Sequence, residues 1–345
     1  MQRTTRPLSE KKDGERGQAL VVFVLSAVVL FGMTALAIDV GSILHERRDL
    51  QNAADAASLA GALELPQDPV LAELRAREWA QNNGVDVAGG DSLDVSISAD
   101  NTSVAVEVKR DASFIFGRVL GLTTVEAHAD ATARTGSPAS LAGVLPFGVL
   151  ESAINYDGIP TVIKYDASNP TNGNFAPLRI DGNGSAVHEE SIINGSTTMI
   201  CGASQPTCTD PTQGTQTGNL VGATRDGLRY RFTHTSPSCD QFNEVLTVNQ
   251  DGSYKVLAPC NPFTENSDSL LLVLIPVIDA FPQGASEEVT VLYFTGIFLN
   301  EINQCTGVSC EVTGTFVKVV ADPTTDADLG IYDPTSGVKF VRLVD

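Results

Sequence analysis

The side chains best suited to chemistry in this chain are six cysteines, four histidines and a scatter of carboxylates. Cys201, Cys208, Cys239, Cys260, Cys305 and Cys310 are an even set, and all lie in the C-terminal part of the chain. Two chemistries compete for such a set, oxidation to disulfides and thiolate ligation of a metal. Thiolate sites draw on C-x-x-C pairs or on cysteines spaced near histidines, and neither pattern occurs. Disulfides are therefore expected. The simplest pairing joins sequence neighbours, Cys201 with Cys208, Cys239 with Cys260 and Cys305 with Cys310, one of several connectivities that six cysteines allow.

The histidines, His45, His128, His188 and His234, stand in unrelated contexts. H-E-x-x-H, G-x-S-x-G, phosphate-cradling glycine loops and S-x-x-K are all missing. Asp181-Gly182-Asn183-Gly184-Ser185 begins like a calcium loop, but Ala186 takes the place of its turning glycine and Ile192 that of its closing glutamate, so a polar turn is expected there. Asp322, Asp326 and Asp328 could gather a cation, although a solvated acidic loop is the ordinary outcome. No nucleophile, base and orienting group assemble from these residues. The expectation is a protein that is not an enzyme, with no catalytic residue, no metal and no cofactor.

The stretch from Gly17 to Leu63 must position everything else. It opens with an uncharged run of 20 residues, Ala19 to Ile38, which as a helix would measure roughly 30 Å, the thickness of a bilayer's hydrocarbon core. Twelve of these are Leu, Ile, Val or Phe, and together they favour insertion by about 4 to 7 kcal/mol. Asp39 falls where the hydrocarbon should end and reads as a solvated interfacial charge. Beyond it an alanine-rich run continues the helical pattern with no proline until Pro66. Leu36, Ile43, Leu50 and Ala57, with Val40, Ala54 and Gly61 between them, recur as a narrow seam on one helix face. That seam can pack on the chain's own domain or on a partner helix, and small residues allow close approach in either case. The second option would also let the chain form a homo-oligomer.

Charge sets an orientation. Residues 1–17 hold five basic and three acidic side chains, a net of +2, which leaves −22 for the rest of a chain whose total is −20. Arg3, Arg6, Lys11, Lys12 and Arg16 all precede the apolar run, so the N-terminus is expected in the cytoplasm and the bulk outside it. Arg47 and Arg48 weaken this asymmetry without reversing it. So acidic a bulk argues against nucleic-acid binding, which needs cations to displace phosphate counterions. Disulfides also persist on the outer side. Ala35-Leu36-Ala37 has the form of a signal-peptidase site, but the apolar run exceeds a usual signal core and leads into helix, so a retained anchor is expected.

Pro66, Asp68 and Pro69 mark a restart. Val70 to Gln81 reads as a helix, Leu93–Ser98 and Val104–Lys109 as a hairpin turned at Ala99–Thr102, Phe114–Leu120 as a short apolar helix and Val125–Ala133 as a strand carrying a structural His128. Beyond Thr135–Pro138 the composition turns to Gly, Pro, Asn and Thr with short apolar runs. Strands are expected at Thr161–Tyr165, Leu178–Ile180, Ser253–Leu257, Leu270–Val277, Glu288–Phe298, Glu311–Val320 and Val338–Val344, with turns at Asp181-Gly182 and Asp251-Gly252. The polar stretch 182–228 reads as surface loops tied by disulfides. The expected class is α+β, laid out as a cytoplasmic tail at 1–17, a transmembrane helix at 18–38, an extracytoplasmic helix at 39–65, a small α+β unit at 66–135 and a β-rich sandwich or barrel-like domain, stabilised by disulfides, at 140–345.

Gly17-Gln18-Ala19, the run ending in Ala37-Ile38-Asp39-Val40-Gly41, and Leu50-Gln51-Asn52-Ala53-Ala54-Asp55-Ala56-Ala57 together resemble the N-terminal module of TadE/TadG-like proteins of Flp (tight adherence) pilus assembly. Gly143–Pro146 and Gly173–Phe175 resemble that family's distal parts. The resemblance implies a single-pass membrane protein whose outer domain serves a pilus or secretion machine, with other pilus-assembly or pilin-like membrane proteins as partners. The alternative is a surface binding or adhesion module, in which the distal β-rich domain holds a ligand and the N-terminal helix tethers it. Pilin-type subunits are cut after a Gly and carry Glu at the fifth mature position. Counting from Gln18 that position is Val22, so processing between Gly17 and Gln18 departs from the pattern. The D-x-S-x-S motif of a metal-binding von Willebrand type A domain lacks its last Ser in both Asp166-Ala167-Ser168-Asn169-Pro170 and Asp251-Gly252-Ser253-Tyr254-Lys255, which implies that this domain is absent.

Overall fold

In the computed structural model the apolar run and the alanine-rich segment form one uninterrupted helix, α1 (Glu15–Ala62), of 48 residues, about 70 Å long at the usual rise. The structure describes residues 15–168, 173–216, 218–248, 254–263, 268–281, 287–321 and 327–344. The expected tail before residue 15, the turn at Asp251-Gly252, the end of one D-x-S-x-S-like stretch (Asn169 and Pro170), the start of the other (Asp251 to Ser253), and Asp322 and Asp326 lie outside them. The class is α+β, a long apolar N-terminal helix followed by a β-rich part with three disulfides.

Helix α2 (Pro69–Asn82) starts where Asp68 accepts a hydrogen bond from the Leu71 N–H at 2.9 Å, with proline in the first turn where no donor is lost. Strands β1 (Ser92–Ile97) and β2 (Ser103–Ser113) form the expected hairpin in register Ile97↔Val104 to Ser92↔Lys109. Asn101 takes the left-handed conformation at its turn, φ 54°, which Asn tolerates better than other side chains with a Cβ. The hairpin β2 to β3 (Thr124–Gly136) stays in register from Ser103↔Arg134 to Ser113↔Thr124. On one face of this sheet alternate residues are apolar, and Val104, Val106, Val108, Ala127, Ala129 and Ala133 are all buried. They face Leu50, Ala53, Ala54 and Ala57 of α1 and Ala72, Ala76 and Ala80 of α2 in one core cluster. Alanine on both helices lets the backbones approach closely. A Cβ on Gly61 would meet the Ala72 carbonyl oxygen at 2.9 Å.

The remaining strands are β4 (Pro138–Leu141), β5 (Phe147–Leu150), β6 (Thr161–Asp166), β7 (Phe175–Pro177), β8 (Ile200–Cys201), β9 (Thr212–Gly214), β10 (Leu246–Val248), β11 (Tyr254–Val256), β12 (Leu272–Ile278), β13 (Glu288–Thr306), β14 (Ser309–Val317), β15 (Val319–Ala321), β16 (Ala327–Leu329) and β17 (Val338–Val344). Among the described residues they form three sheets, in the orders β1-β2-β3-β17-β15-β11-β10, then β6-β14-β13-β12-β5-β7 with β9 beside the start of β13, and β16-β4-β8. A second and larger core holds Phe147, Phe175, Phe294, Phe298 and Phe316. Strand β17 pairs antiparallel with β3, Phe340↔Gly136 to Val344↔Thr132, and parallel with β15. Segments before and after residue 137 thus share one sheet.

Several expectations need correction. The stretch 182–228 is not all loop: it contains helix α3 (Ser185–Asn194) and most of helix α4 (Val221–His234). Their facing sides carry small and polar residues, including Thr224, Gly227 and His188, so no apolar period betrays them. A Cβ on Gly227 would lie 2.8 Å from Ile192, which shows how close the helices run. Leu178–Ile180 is not a strand; β7 ends at Pro177, and Leu178 makes only an isolated bridge to Thr215. Asp181-Gly182 leads into α3 rather than into a hairpin. Glu311–Val320 divides at Lys318 into β14 and β15, which belong to different sheets.

Candidate functional site

Helix α1 presents two environments along its length. From Leu20 to Ile38 its large apolar side chains are exposed on every side, among them Leu20, Phe23, Leu25, Val28, Phe31, Met33 and Leu36. A helix that is apolar all round belongs inside a protein or inside a membrane, and none of its most apolar window is buried here. It is the one helix among the described residues long and apolar enough to cross a membrane.

The change of environment comes at Asp39, which is only 4 % exposed. Its Oδ1 accepts from the backbone N–H groups of Ile115 at 2.7 Å and Phe116 at 3.0 Å, and its Oδ2 from that of Gly117 at 2.7 Å. Three successive N–H groups converge on one carboxylate, an anion-binding nest closed by a side chain. The expectation of a solvated interfacial charge is therefore corrected. Asp39 clamps the turn between β2 and β3 against α1. Sequence reasoning missed those partners because they are backbone groups more than seventy positions away. The available signal was the apolar turn Phe114-Ile115-Phe116-Gly117 between two alternating strands.

Past Asp39 the seam turns inward. Leu50 is 1 % exposed, Ala54 and Ala57 are fully buried, and Ile43 packs at the margin of the same cluster. What covers them is the chain's own sheet and α2. Of the two packing options, the structure occupies the internal one for Ile43, Leu50, Ala54 and Ala57, whereas Leu36 and Val40 at the N-terminal end of the seam stay exposed. The outward face of α1 at this level carries Val40, Leu44, Arg47 and Arg48 instead. Gly17 and Gln18 lie in the first turns of α1.

The span from the exposed apolar run through the seam is also what a known protein family matches. Residues 17–64 match the Tad family, described as "Putative Flp pilus-assembly TadE/G-like". Over this span the chain is similar to the TadE/G-like family. No curated protein and no solved structure matches the chain.

The match to the TadE/G-like module ends two residues after α1, so the sheets that receive it lie beyond the matched span. In that part the structure pairs Cys201 with Cys208, Cys239 with Cys260 and Cys305 with Cys310. Cys305 and Cys310 are register partners across the β13–β14 hairpin, whose turn holds Gly307 at φ 64°. Asp181 has both oxygens engaged, Oδ1 by the N–H groups of Thr197 and Thr198 and Oδ2 by the Ser191 hydroxyl. Burial raises its pKa, and these hydrogen bonds outweigh burial and hold it below the usual range. It locks the polar turn that leads into α3. Asp166 likewise accepts from the N–H and hydroxyl of Ser168, and Asp328 from the Ser140 hydroxyl at 2.6 Å.

The histidines stay apart. His45 lies 3.6 Å from Asp49 on the α1 surface, and His128 lies 3.2 Å from Glu107 on the exposed face of the hairpin. His188 is buried, its Nε2 3.1 Å from the Thr224 hydroxyl and its Nδ1 without a partner; burial pushes its pKa down to about 4. No group of three or more His, Cys, Asp or Glu suited to a metal occurs among the described residues. The cleft lined by Gln81, Gly84, Val85, Asp86, Val87 and Ala88 offers one ionisable side chain and so no acid and base pair.

Proposed function

We propose that this chain is a membrane-anchored structural component of a Flp (Tad-type) pilus or related envelope apparatus, and not an enzyme. The observation that carries this reading is the continuity of α1. One TadE/G-like helix is bare and apolar over about a bilayer's thickness, and is then locked by Asp39 and the seam into the chain's own folded part. Such a helix holds a domain at a fixed height and angle above the membrane. A tether for a freely moving domain would need a flexible joint, and α1 has no break until Ala62.

The layout that goes with this function has residues 1–17 in the cytoplasm, 18–38 in the bilayer and 39–65 as a strut on the outer side. The strut bears an α+β unit at 66–135 and a β-rich domain at 140–345. Support comes from the basic residues before the apolar run and from three disulfides, which form and persist in an oxidising, exported compartment. Contacts with pilus-assembly or pilin-like membrane proteins would use the outward face of α1 or the β-rich surface, since the seam is internal.

The test is crosslinking in native membranes followed by purification of the full chain, with intact mass and N-terminal sequencing of the product. The reading expects an N-terminus at or near Met1, resistance to alkaline extraction, and pilus-assembly membrane proteins among the crosslinked partners. An N-terminus at Gln18 would make the chain a processed pilin-like subunit despite Val22. An N-terminus at Ile38 with release from the membrane would sink the anchor and favour a secreted binding module.

A further inference from the structure

The turn clamped by Asp39 carries more apolar surface than a turn needs. Residues 114–122 read Phe-Ile-Phe-Gly-Arg-Val-Leu-Gly-Leu, and Ile115, Phe116, Val119, Leu120 and Leu122 are all exposed, Val119 by 88 % and Leu120 by 82 %. Single exposed apolar residues are ordinary on protein surfaces, whereas five within eight positions make a contiguous patch that marks a contact. The patch is not part of either core: Ala112 and Gly117 are the buried residues that root it. A short 3₁₀ turn, Gly117–Leu120, holds Val119 and Leu120 outward and places the exposed cation Arg118 beside them.

Its height is fixed by the same hydrogen bonds. Asp39 follows directly on Ile38, the last residue of the apolar run, and it is the first buried residue of α1 counted from the N-terminus. The β2–β3 tip is therefore the part of the sheet nearest the exposed apolar run, held at the level where that run ends. A bilayer around Ala19–Ile38 would meet this tip with its headgroup layer.

We propose that residues 114–122 are a second membrane contact, an apolar tip seated at the boundary of headgroups and acyl chains in the leaflet where α1 emerges, with Arg118 at the lipid phosphates. This rests on the bilayer-spanning reading of α1. The apolar side chains enter the boundary region as interfacial segments do, about 5 to 10 Å deep. The Arg118 stem lies along the apolar boundary while its charged head stays in the phosphate layer. With the helix and the tip both in the membrane, the outer domain has two points of attachment and cannot swivel about α1. The tip lies outside the TadE/G-like span, so it belongs to the part of the chain that the module carries.

The test places a fluorescent reporter at each of the two points. The chain holds a single tryptophan, the exposed Trp79, so Trp79→Phe supplies a dark background without disturbing either core. In that background Leu120→Trp reads the tip and Val28→Trp reads the anchor. Both positions are exposed, so the larger ring meets no packed neighbour. The full chain is reconstituted in vesicles of phosphatidylcholine and phosphatidylglycerol containing brominated lipids. The expected result is a blue-shifted Leu120→Trp emission, lost more to bromines near the headgroup than to bromines at the chain ends, with the reverse preference for Val28→Trp. Water-like, unquenched emission from Leu120→Trp beside a quenched Val28→Trp overturns the tip and leaves the anchor standing. Unquenched emission from both overturns the anchor and the tip with it. Blue-shifted emission from Leu120→Trp that bromines do not quench, and that turns water-like when the protein is diluted to isolated chains, would assign the patch to a second copy and overturn the lipid reading.

Discussion

At the residue scale two buried polar side chains hold segments that apolar packing alone would leave loose. Asp39 supplies acceptors for three successive N–H groups. Asp39→Asn puts an amide donor against one of them and leaves it without an acceptor. Trypsin should then cut detergent-solubilised protein after Arg118 about tenfold faster than wild type, because cleavage follows the population of the opened turn; an unchanged rate would show that the clamp is dispensable. His188 makes the chain sensitive to acid in a definite window. Its folded pKa, about 4, lies below the unfolded value of 6.5. The unfolded chain therefore takes up a proton that the folded chain refuses. Stability from this residue is complete above about pH 6.5 and is lost as pH falls towards 4, by about 3 kcal/mol in all. Denaturant melts of wild type and His188→Gln at pH 7 and pH 4.5 check this. The variant should lose less on acidification, and equal losses would refute the assignment.

At the element scale α1 divides by what covers it. Leu50 is a core residue of the outer domain, so Leu50→Ala should cost about 2 to 5 kcal/mol. Leu50→Asp, which buries an unpaired carboxylate in the core that α1 shares with α2 and the sheet, should prevent folding. Leu50 is accordingly no place to probe partner contacts. Leu44, exposed one turn past Asp39, is such a place. Leu44→Asp should leave the melting temperature within a degree or two of wild type, since exposed substitutions stay within about 0.5 kcal/mol, and should reduce crosslinking if the outward face of α1 is where a partner helix binds. Unchanged crosslinking would move that contact to the β-rich surface.

At the scale of the whole molecule, β17 joins the ends of the folded part. It lies between β3 and β15, contributes Val341 to the α1 core and Val338 and Phe340 to the larger one, and Lys339 reaches back to the carbonyls of Leu63 and Leu65. Residues 39–345 and residues 140–345 should therefore behave differently as separate fragments. The first keeps every strand of the shared sheet and loses only a run that none of the cores uses, so its chemical denaturation midpoint should match that of the full chain. The second exposes the edge of β17 and should aggregate or melt earlier, as an unpaired strand edge does. Equal stability of the two would mean that the two cores are independent.

Much of this arrangement is dictated locally and can be read from residues in order. The anchor is a matter of length and apolarity within one helix. The β1–β2 hairpin, β3 and α2 follow from period-two and helical spacing with a capping Asp68, and each disulfide joins cysteines close in sequence. What tertiary structure decided depends on residues far apart. Asp39 looked like a solvated charge because its partners are backbone groups, which leave no mark on side-chain identity. The α1 seam suits a partner helix as well as the chain's own sheet, since alanine and leucine at that spacing pack against either, and only the fold brings Val104, Val106 and Ala129 over it. Helices α3 and α4 escaped because small and polar side chains cover their shared face. The patch at 115–122 acquired its meaning last, when the clamp set it beside the end of the apolar run.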